Sequence, residues 1–331
     1  MKAVNFLVNR PLLGGGGLTA LKAILQVREL TLFVLILIIC VVMSLVTPYF
    51  WTSTNFRALS IGLVPTAIIA VGMTVLLVSG GFDLSVGSVM ALSGTVAALL
   101  LINGAPIWFV VILTLGLGIV IGVGNGLLVT LVGVNPLVAT LGTMSVARGS
   151  ALVLTEGHSV GNLPKEFGYV GGSNWAGIPV MVIIMAVIVV VGDIALRHTR
   201  YLRQVYFIGA NEGAAKLSGI LVNRVRIVSY SLTAFLAALA GLLLCSRLQA
   251  GTPTAGNGLE LQVLAAAVIG GARLGGGTGT VFGAFLGVVF VGLINNAMTM
   301  LRVSVLWQIV VTGIVLIIAV ALDTLLRRIS A

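Results

Sequence analysis

The chain has 331 residues, of which 59% are hydrophobic and 8% charged, with a net charge of +10. Soluble domains carry about 25% charged residues, so this composition excludes a water-soluble globular fold and points to the lipid bilayer. The basic residues are spread over loops between apolar runs, which argues against a nucleic-acid-binding patch.

Those runs are about 20 residues long, enough to span a hydrocarbon core about 30 Å thick at 1.5 Å per residue. Backbone polar groups in lipid need internal partners, so the runs must be helices or strands of a closed barrel. Barrel strands alternate polar and apolar positions, and continuous runs such as 30–46 and 180–191 do not. We therefore expect an all-α polytopic membrane protein with about ten transmembrane helices. In chain order the spans fall at 30–47, 58–79, 84–103, 107–132, 136–155, 177–196, 226–246, 259–272, 279–301 and 304–325. Residues 1–29 precede the first span. That span ends in Val46-Thr47-Pro48 with no small-residue cleavage pattern, so it reads as a retained helix and not as a signal peptide. The eighth span is short and borders Gly-rich sequence. This predicts a broken or re-entrant crossing, tolerated where protein or a water-filled cavity covers the backbone. The longest polar stretches, near 156–175 and 197–225, are too short for a separate domain. One transmembrane domain over 30–325 and a tail at 326–331 remain.

An even number of spans puts both termini on one side. That side holds Lys2, Arg10, Lys22, Arg28, Arg197, Arg200, Arg203, Lys216, Arg224, Arg226, Arg273, Arg327 and Arg328, against Arg57, Lys165 and Arg247 on the other. Basic residues mark cytoplasmic loops, so both termini are expected in the cytoplasm. Trp51, Trp108, Trp175 and Trp307 fall at the external ends, as an interfacial belt requires.

The 43 glycines suit helices that approach closely in a membrane. Gly116 with Gly118, Gly122 with Gly124, and Gly283 with Gly287 read as such contact faces. Cys40 and Cys245 lie in apolar runs without metal-ligand spacing and read as buried thiols. Two pseudo-repeated halves are expected: Gly80-Gly81-x-x-Leu84-x-x-Gly87 returns as Gly270-Gly271-x-x-Leu274-x-x-Gly277. A second correspondence, Asn125 with Gly142 against Asn296 with Gly313, runs at a different offset.

No catalytic constellation is present, nor a G-x-x-x-x-G-K-[ST] phosphate loop, so the chain reads as no enzyme and no P-loop ATPase. Coupling to protons or sodium usually places ionisable groups in mid-span. Here Asp83 and Glu260 lie at span junctions, Asp193 and Asp323 near cytoplasmic ends, and span 107–132 holds no charge. No catalytic, cofactor-binding or metal-ligating residue is assigned.

Three stretches carry chemistry of another kind. Residues 79–88 read Ser-Gly-Gly-Phe-Asp-Leu-Ser-Val-Gly-Ser, residues 207–220 read Phe-Ile-Gly-Ala-Asn-Glu-Gly-Ala-Ala-Lys-Leu-Ser-Gly-Ile, and Glu260-Leu261 leads to Ile269-Gly270-Gly271 and Leu274-Gly275-Gly276. In the second, Asn211 is a good N-cap, Glu212 and Lys216 are spaced for an i,i+4 ion pair, and Gly219 can end the helix. A short polar helix over 212–218 is predicted in the basic loop. In the first, Gly80 and Gly81 supply positive φ and Asp83 caps the next helix. That describes either a tight turn or part of a moving gate including Ser85 and Gly87, with Gly270 and Gly271 as its counterpart. Arg148 reads as a snorkelling residue, as the partner of a carboxylate or as part of a pathway. Asn125 and Asn135 suit packing between helices. Asn295 and Asn296 are the candidates for a polar pathway.

These stretches, with Asn135-Pro136, Thr140-Leu141-Gly142-Thr143 and Arg148-Gly149, resemble the ribose/xylose/arabinose/galactose permease subunits of bacterial ABC importers from about residue 50 to residue 325. The resemblance implies a multi-pass inner-membrane permease that moves a pentose or hexose from periplasm to cytoplasm. Implied partners are a periplasmic sugar-binding protein near 48–57, 156–175 and 247–258, a second permease chain as homodimer or heterodimer, and ATP-binding subunits holding ATP and magnesium. Asn211, Glu212, Ala214, Ala215, Lys216, Leu217 and Gly219 would then form the segment that docks on the ATP-binding subunit. Ala214, Ala215 and Leu217 would be its apolar contact, and Glu212 and Lys216 would orient it. The rivals are an ion-coupled secondary sugar carrier and a channel or membrane scaffold.

Overall fold

A computed structural model describes residues 28–304 and scattered helical positions between 306 and 321. The N-terminal segment before residue 28, most of the last expected span and the tail at 326–331 lie outside the described residues. The helices are α1 (Arg28–Val46), α2 (Ser53–Val78), α3 (Val86–Ile102), α4 (Ile107–Leu127, continued by a π-helical turn Leu128–Val132), α5 (Pro136–Leu154), α6 (Gly168–Gly172), α7 (Val180–His198), α8 (Arg200–Ala210), α9 (Glu212–Leu217), α10 (Val222–Leu248), α11 (Leu259–Ile269) and α12 (Val281–Met300). The all-α expectation needs one small correction, a hairpin of β1 (Asn174–Trp175) and β2 (Ile178–Pro179) ahead of α7.

Among the described residues seven helices are long and apolar enough to cross a membrane, and α3 and α11 are apolar but shorter. Burial orders them. The most apolar stretch of α2 is 78% buried and that of α10 61%, whereas α1 has 11% buried. α2 and α10 are thus the central pillars, and α1 is a peripheral helix leaning on α12 through Met43 and Leu293. Pro65 interrupts α2 halfway, leaving the Ile61 carbonyl without its helical donor. Local signals set the entries. Asn135 accepts from the Leu137 amide at 2.9 Å with Pro136 in the first turn, and Thr280 accepts from the Gly283 amide at 3.0 Å.

Glycine decides how closely α4 approaches α10. A Cβ on Gly118 would fall 2.7 Å from the Ala234 carbonyl oxygen, on Gly122 2.6 Å from that of Tyr230, and on Gly126 2.7 Å from Ile227 Cα. The contact face therefore repeats every four residues, the spacing of one helical face. Gly116 and Gly124, expected in this face, look onto open space. Gly283 and Gly287 do meet backbone, at Gly270 and Ala266.

The stretch read as a short eighth span, the broken crossing, holds only 11 residues of helix in α11. After α10 the chain does not form a surface loop over 247–258. It turns inward: Gly251 packs beside Gly94 and Ala98, and Gly256 beside Gly87 and Met90, before α11 begins at Leu259. Irregular backbone inside a bundle needs hydrogen-bond partners, and Arg148 of α5 supplies them. Its Nη1 donates to the carbonyls of Pro253 at 2.7 Å and Ala255 at 2.8 Å. Arg148 therefore points into the bundle and does not snorkel. The broken crossing is a wall of the interior, with Arg247, Leu248, Thr254 and Asn257 left exposed.

The ends of α2 and α11 share one device. Gly80, at φ +83°, follows α2, and the next amide, Gly81, donates to the Leu76 carbonyl at 3.0 Å. Gly271, at φ +100°, follows α11, and Ala272 donates to Ala267 at 2.9 Å. Both are left-handed helix ends of the kind that favours glycine. The structural counterpart of Gly80 is thus Gly271, one residue beyond the pairing with Gly270 read from the sequence.

Candidate functional site: a junction of two loops and a polar helix

At the end of the bundle rich in Arg and Lys, α7 hands over to α8 at Thr199, whose hydroxyl accepts from the Leu202 amide at 3.4 Å. α8 turns Val205 and Ile208 into the core and leaves Tyr201, Arg203 and Phe207 exposed. α9 follows directly. The Asn211 side chain accepts from the Ala214 amide at 3.0 Å, and Glu212 pairs with Lys216 at 2.7 Å. Gly219, at φ +80°, ends the turn, with Ile220 donating to the Ala215 carbonyl at 3.1 Å. Glu212 has a second partner, Arg226 of α10, at 2.7 Å. The hydrogen bond from Lys216 and the charge of Arg226 hold the Glu212 carboxyl below the usual carboxylate range.

The orientation of α9 corrects one expectation. Ala215 is 4% exposed and belongs to the permease's own core, whereas Leu217 is 92% exposed and Ala214 is exposed beside it. An outward apolar contact can be made by Ala214 and Leu217 but not by Ala215.

The loop between α2 and α3 enters the bundle instead of lying on it. Asp83 and Ser85 are fully buried. Asp83 Oδ1 accepts from the Ser85 amide at 2.7 Å and the Ser85 hydroxyl at 2.6 Å, and Oδ2 accepts from Asn125 Nδ2 at 3.3 Å. Asn125 also donates to Ser85 Oγ at 3.2 Å, and its Oδ1 accepts from Thr143 of α5 at 2.5 Å. Among the described residues no basic side chain pairs with Asp83. Buried carboxylates are tolerated when hydrogen-bonded, and this network knits the loop to α4 and α5. The picture of a surface turn is therefore replaced by a plug. Gly80 has the expected positive φ; Gly81 does not, and serves instead to admit Leu76 and Tyr230, whose hydroxyl would lie 3.3 Å from a Cβ there. Gly87 packs on the Gly256 carbonyl and the Glu260 carboxylate of the broken crossing.

The loop between α11 and α12 meets this plug. The Gly277 amide donates to the Val78 carbonyl at 2.8 Å, and Tyr206 of α8 donates to the Gly279 carbonyl at 2.7 Å. Gly209 of α8 lies against both Val78 and Gly277, close enough that no side chain fits. Arg226 reaches the Ser79 carbonyl at 3.5 Å. Gly80, Gly276, Gly277, Gly209, Glu212 and Arg226 thus converge on one patch, although the sequence scatters them over three segments. A push on α9 is transmitted through Arg226 and Gly209 to both loops, which is what such an arrangement can do mechanically.

Asn295 and Asn296 lie elsewhere, toward the opposite end of α12. Asn296 exchanges hydrogen bonds with Asn55 of α2, donating at 2.8 Å and accepting at 3.3 Å. Asn295 borders the same region without such a partner. Sequence reasoning missed Arg226, Thr143 and Gly209 as parts of the junction. Gly209 stood inside a quoted stretch, and an arginine opening a long apolar helix was the available signal for Arg226.

Comparison with known proteins gives the following. A family model described as branched-chain amino acid transport system / permease component matches residues 55–320. The ribose import permease protein RbsC of Bacillus subtilis (strain 168) is 40% identical over 298 residues, covering 89% of this chain and 92% of that protein. RbsC of Escherichia coli (strain K12) is 38% identical over 292 residues, covering 87% and 91%. The L-arabinose transport system permease protein AraH of the same strain is 34% identical over 298 residues, covering 90% of each. No solved structure matches the chain.

Proposed function

This chain belongs to the family of importer permease components matched over residues 55–320, and we propose that it is the membrane-spanning permease subunit of an ATP-binding-cassette importer for a monosaccharide, with an aldopentose as first candidate. The relatives named for ribose and arabinose support the substrate class. The single observation that carries the mechanism is α9, a charged helix capped at both ends and packed by Ala215, which offers a bare Leu217 to a partner.

In this reading the basic end faces the cytoplasm of a bacterial inner membrane, following the positive-inside rule. The chain crosses ten times, the last crossing lying mostly outside the described residues. Two copies, or one copy and a related permease, form the pathway. Separate ATP-binding subunits, which hold ATP and magnesium, dock on α9, and a periplasmic sugar-binding protein docks at the opposite end. Nucleotide-driven movement of α9 reaches the loops after α2 and α11 through Arg226 and Gly209. The buried Asp83 network resists that movement until the partner supplies the energy.

The test is co-purification of the tagged chain with its ATP-binding subunit in mild detergent. Leu217→Arg is expected to release that subunit, lowering recovery at least about tenfold, with the permease itself folded because Leu217 touches nothing inside. Ala215→Arg is unsuitable, since it buries a charge in the core. Full retention of the subunit by Leu217→Arg would remove α9 as the docking site.

A further inference from the structure

We infer that the cavity between α2, α11 and α12 is a binding site for a neutral polyhydroxyl ligand, read by the carboxamides of Gln262 and Asn295. The inference rests on the importer reading and names the part of this chain that would touch its cargo.

The cavity has a volume of about 280 Å³, and none of its lining residues is charged. Small-ligand pockets start at about 300 Å³, so a single small molecule is the fitting occupant. Its polar wall is made by Thr66, Gln262, Asn295, Asn296 and Thr299, with Gly62 opening one side. Asn296 is committed to Asn55, which ties the rim together. Asn295 is different: its Oδ1 is buried without a hydrogen-bond partner. A buried acceptor without a partner is costly in an apolar bundle, and Asn295 itself lines the cavity, so a rotation of its carboxamide brings that oxygen to a ligand there.

Placement supports the same conclusion. Gln262 sits in the first turn of α11, where the broken crossing resumes as helix, and Thr66 lies halfway along α2. Transporters place cargo sites at such interrupted helices near the membrane midplane. Pro65 adds to this by freeing the Ile61 carbonyl on the turn that carries Gly62. An anion would favour a cationic side chain and a cation a carboxylate; the lining has no charged side chain. Each carboxamide presents a donor and an acceptor together, which matches two neighbouring hydroxyls of a sugar ring. The site is expected to be weak, since a path must also release what it binds.

The experiment uses the full importer in proteoliposomes, with D-ribose, L-arabinose and D-xylose as probes. A cysteine introduced by Ala58→Cys at the cavity rim is labelled with a maleimide, and labelling is followed at that peptide by mass spectrometry. Millimolar sugar is expected to slow labelling at least threefold, whereas acetate and choline leave it unchanged. The double variant Gln262→Leu, Asn295→Leu is expected to abolish that protection and to lower uptake at least tenfold. The melting temperature of the double variant should hold or rise, because Asn295 Oδ1 has no internal partner to lose. Unchanged uptake in the double variant, or no protection by any of the three sugars, would overturn the inference. Failure of the importer reading looks different: the unmodified importer would then take up none of the sugars and show no stimulated ATP hydrolysis.

Discussion

Gly209→Val is expected to lower sugar uptake at least about tenfold and to reduce the yield of folded chain. Gly209 lies where α8 crosses the hydrogen bond from the Gly277 amide to the Val78 carbonyl. A side chain there overlaps both groups, so the helix must retreat or the hydrogen bond must open. Overpacking of a filled site costs about 1–3 kcal/mol, and leaving buried backbone groups unpaired costs about 1–3 kcal/mol more. Either response also separates α8 from the loops after α2 and α11, which is the proposed route of coupling. Uptake and size-exclusion profiles check the result, with Ala210→Val, at the exposed neighbouring position, as a control expected to behave as the unmodified chain. Normal uptake by Gly209→Val would show that α8 and the two loops move independently.

Arg148→Leu is expected to lower the melting temperature of the detergent-solubilised chain more than any surface substitution of arginine. The guanidinium satisfies two carbonyls of an irregular segment, those of Pro253 and Ala255, 105 and 107 residues away in sequence. Removing it leaves both acceptors inside the bundle, at about 1–3 kcal/mol each. The Glu260 carboxylate, in the first turn of the helix that follows, also loses its electrostatic interaction with Arg148. Arg148→Lys keeps a charge but not the planar fork, and is expected to recover part of the loss. Thermal unfolding followed by intrinsic fluorescence measures it. An unchanged melting temperature in Arg148→Leu would return Arg148 to a snorkelling role at the interface.

How much the sequence reveals follows the range of the interaction. The cap at Asn211, the Glu212–Lys216 pair and the stop at Gly219 are all local, and the structure has them where spacing alone put them. The shortness of the helix near 259–272 was legible because the apolar run there is brief and bordered by glycines, and α11 holds 11 residues. The rotation of α9 was not, since a helix of six residues shows too little periodicity to mark its inner face, and only packing decides that Ala215 turns in and Leu217 out. Asp83 read as a surface cap because its partners Asn125 and Thr143 come from two other helices. The α4 face was misread for a related reason. Pairs spaced by two residues draw the eye, but Gly118, Gly122 and Gly126 share a face, and Gly116 and Gly124 do not. The membrane class itself rested on composition and charge asymmetry, which need no tertiary information.

The central claim is that ATP hydrolysed by a partner, and not an ion gradient, drives a sugar through this chain. The direct measurement is uptake of radiolabelled D-ribose, L-arabinose and D-xylose into proteoliposomes carrying the complete complex, with binding protein outside and ATP inside. The account predicts that uptake of at least one sugar requires enclosed ATP and binding protein, and persists when proton and sodium gradients are collapsed by ionophores. Uptake that stops with the ionophores while enclosed ATP is unchanged would contradict it and identify an ion-coupled carrier.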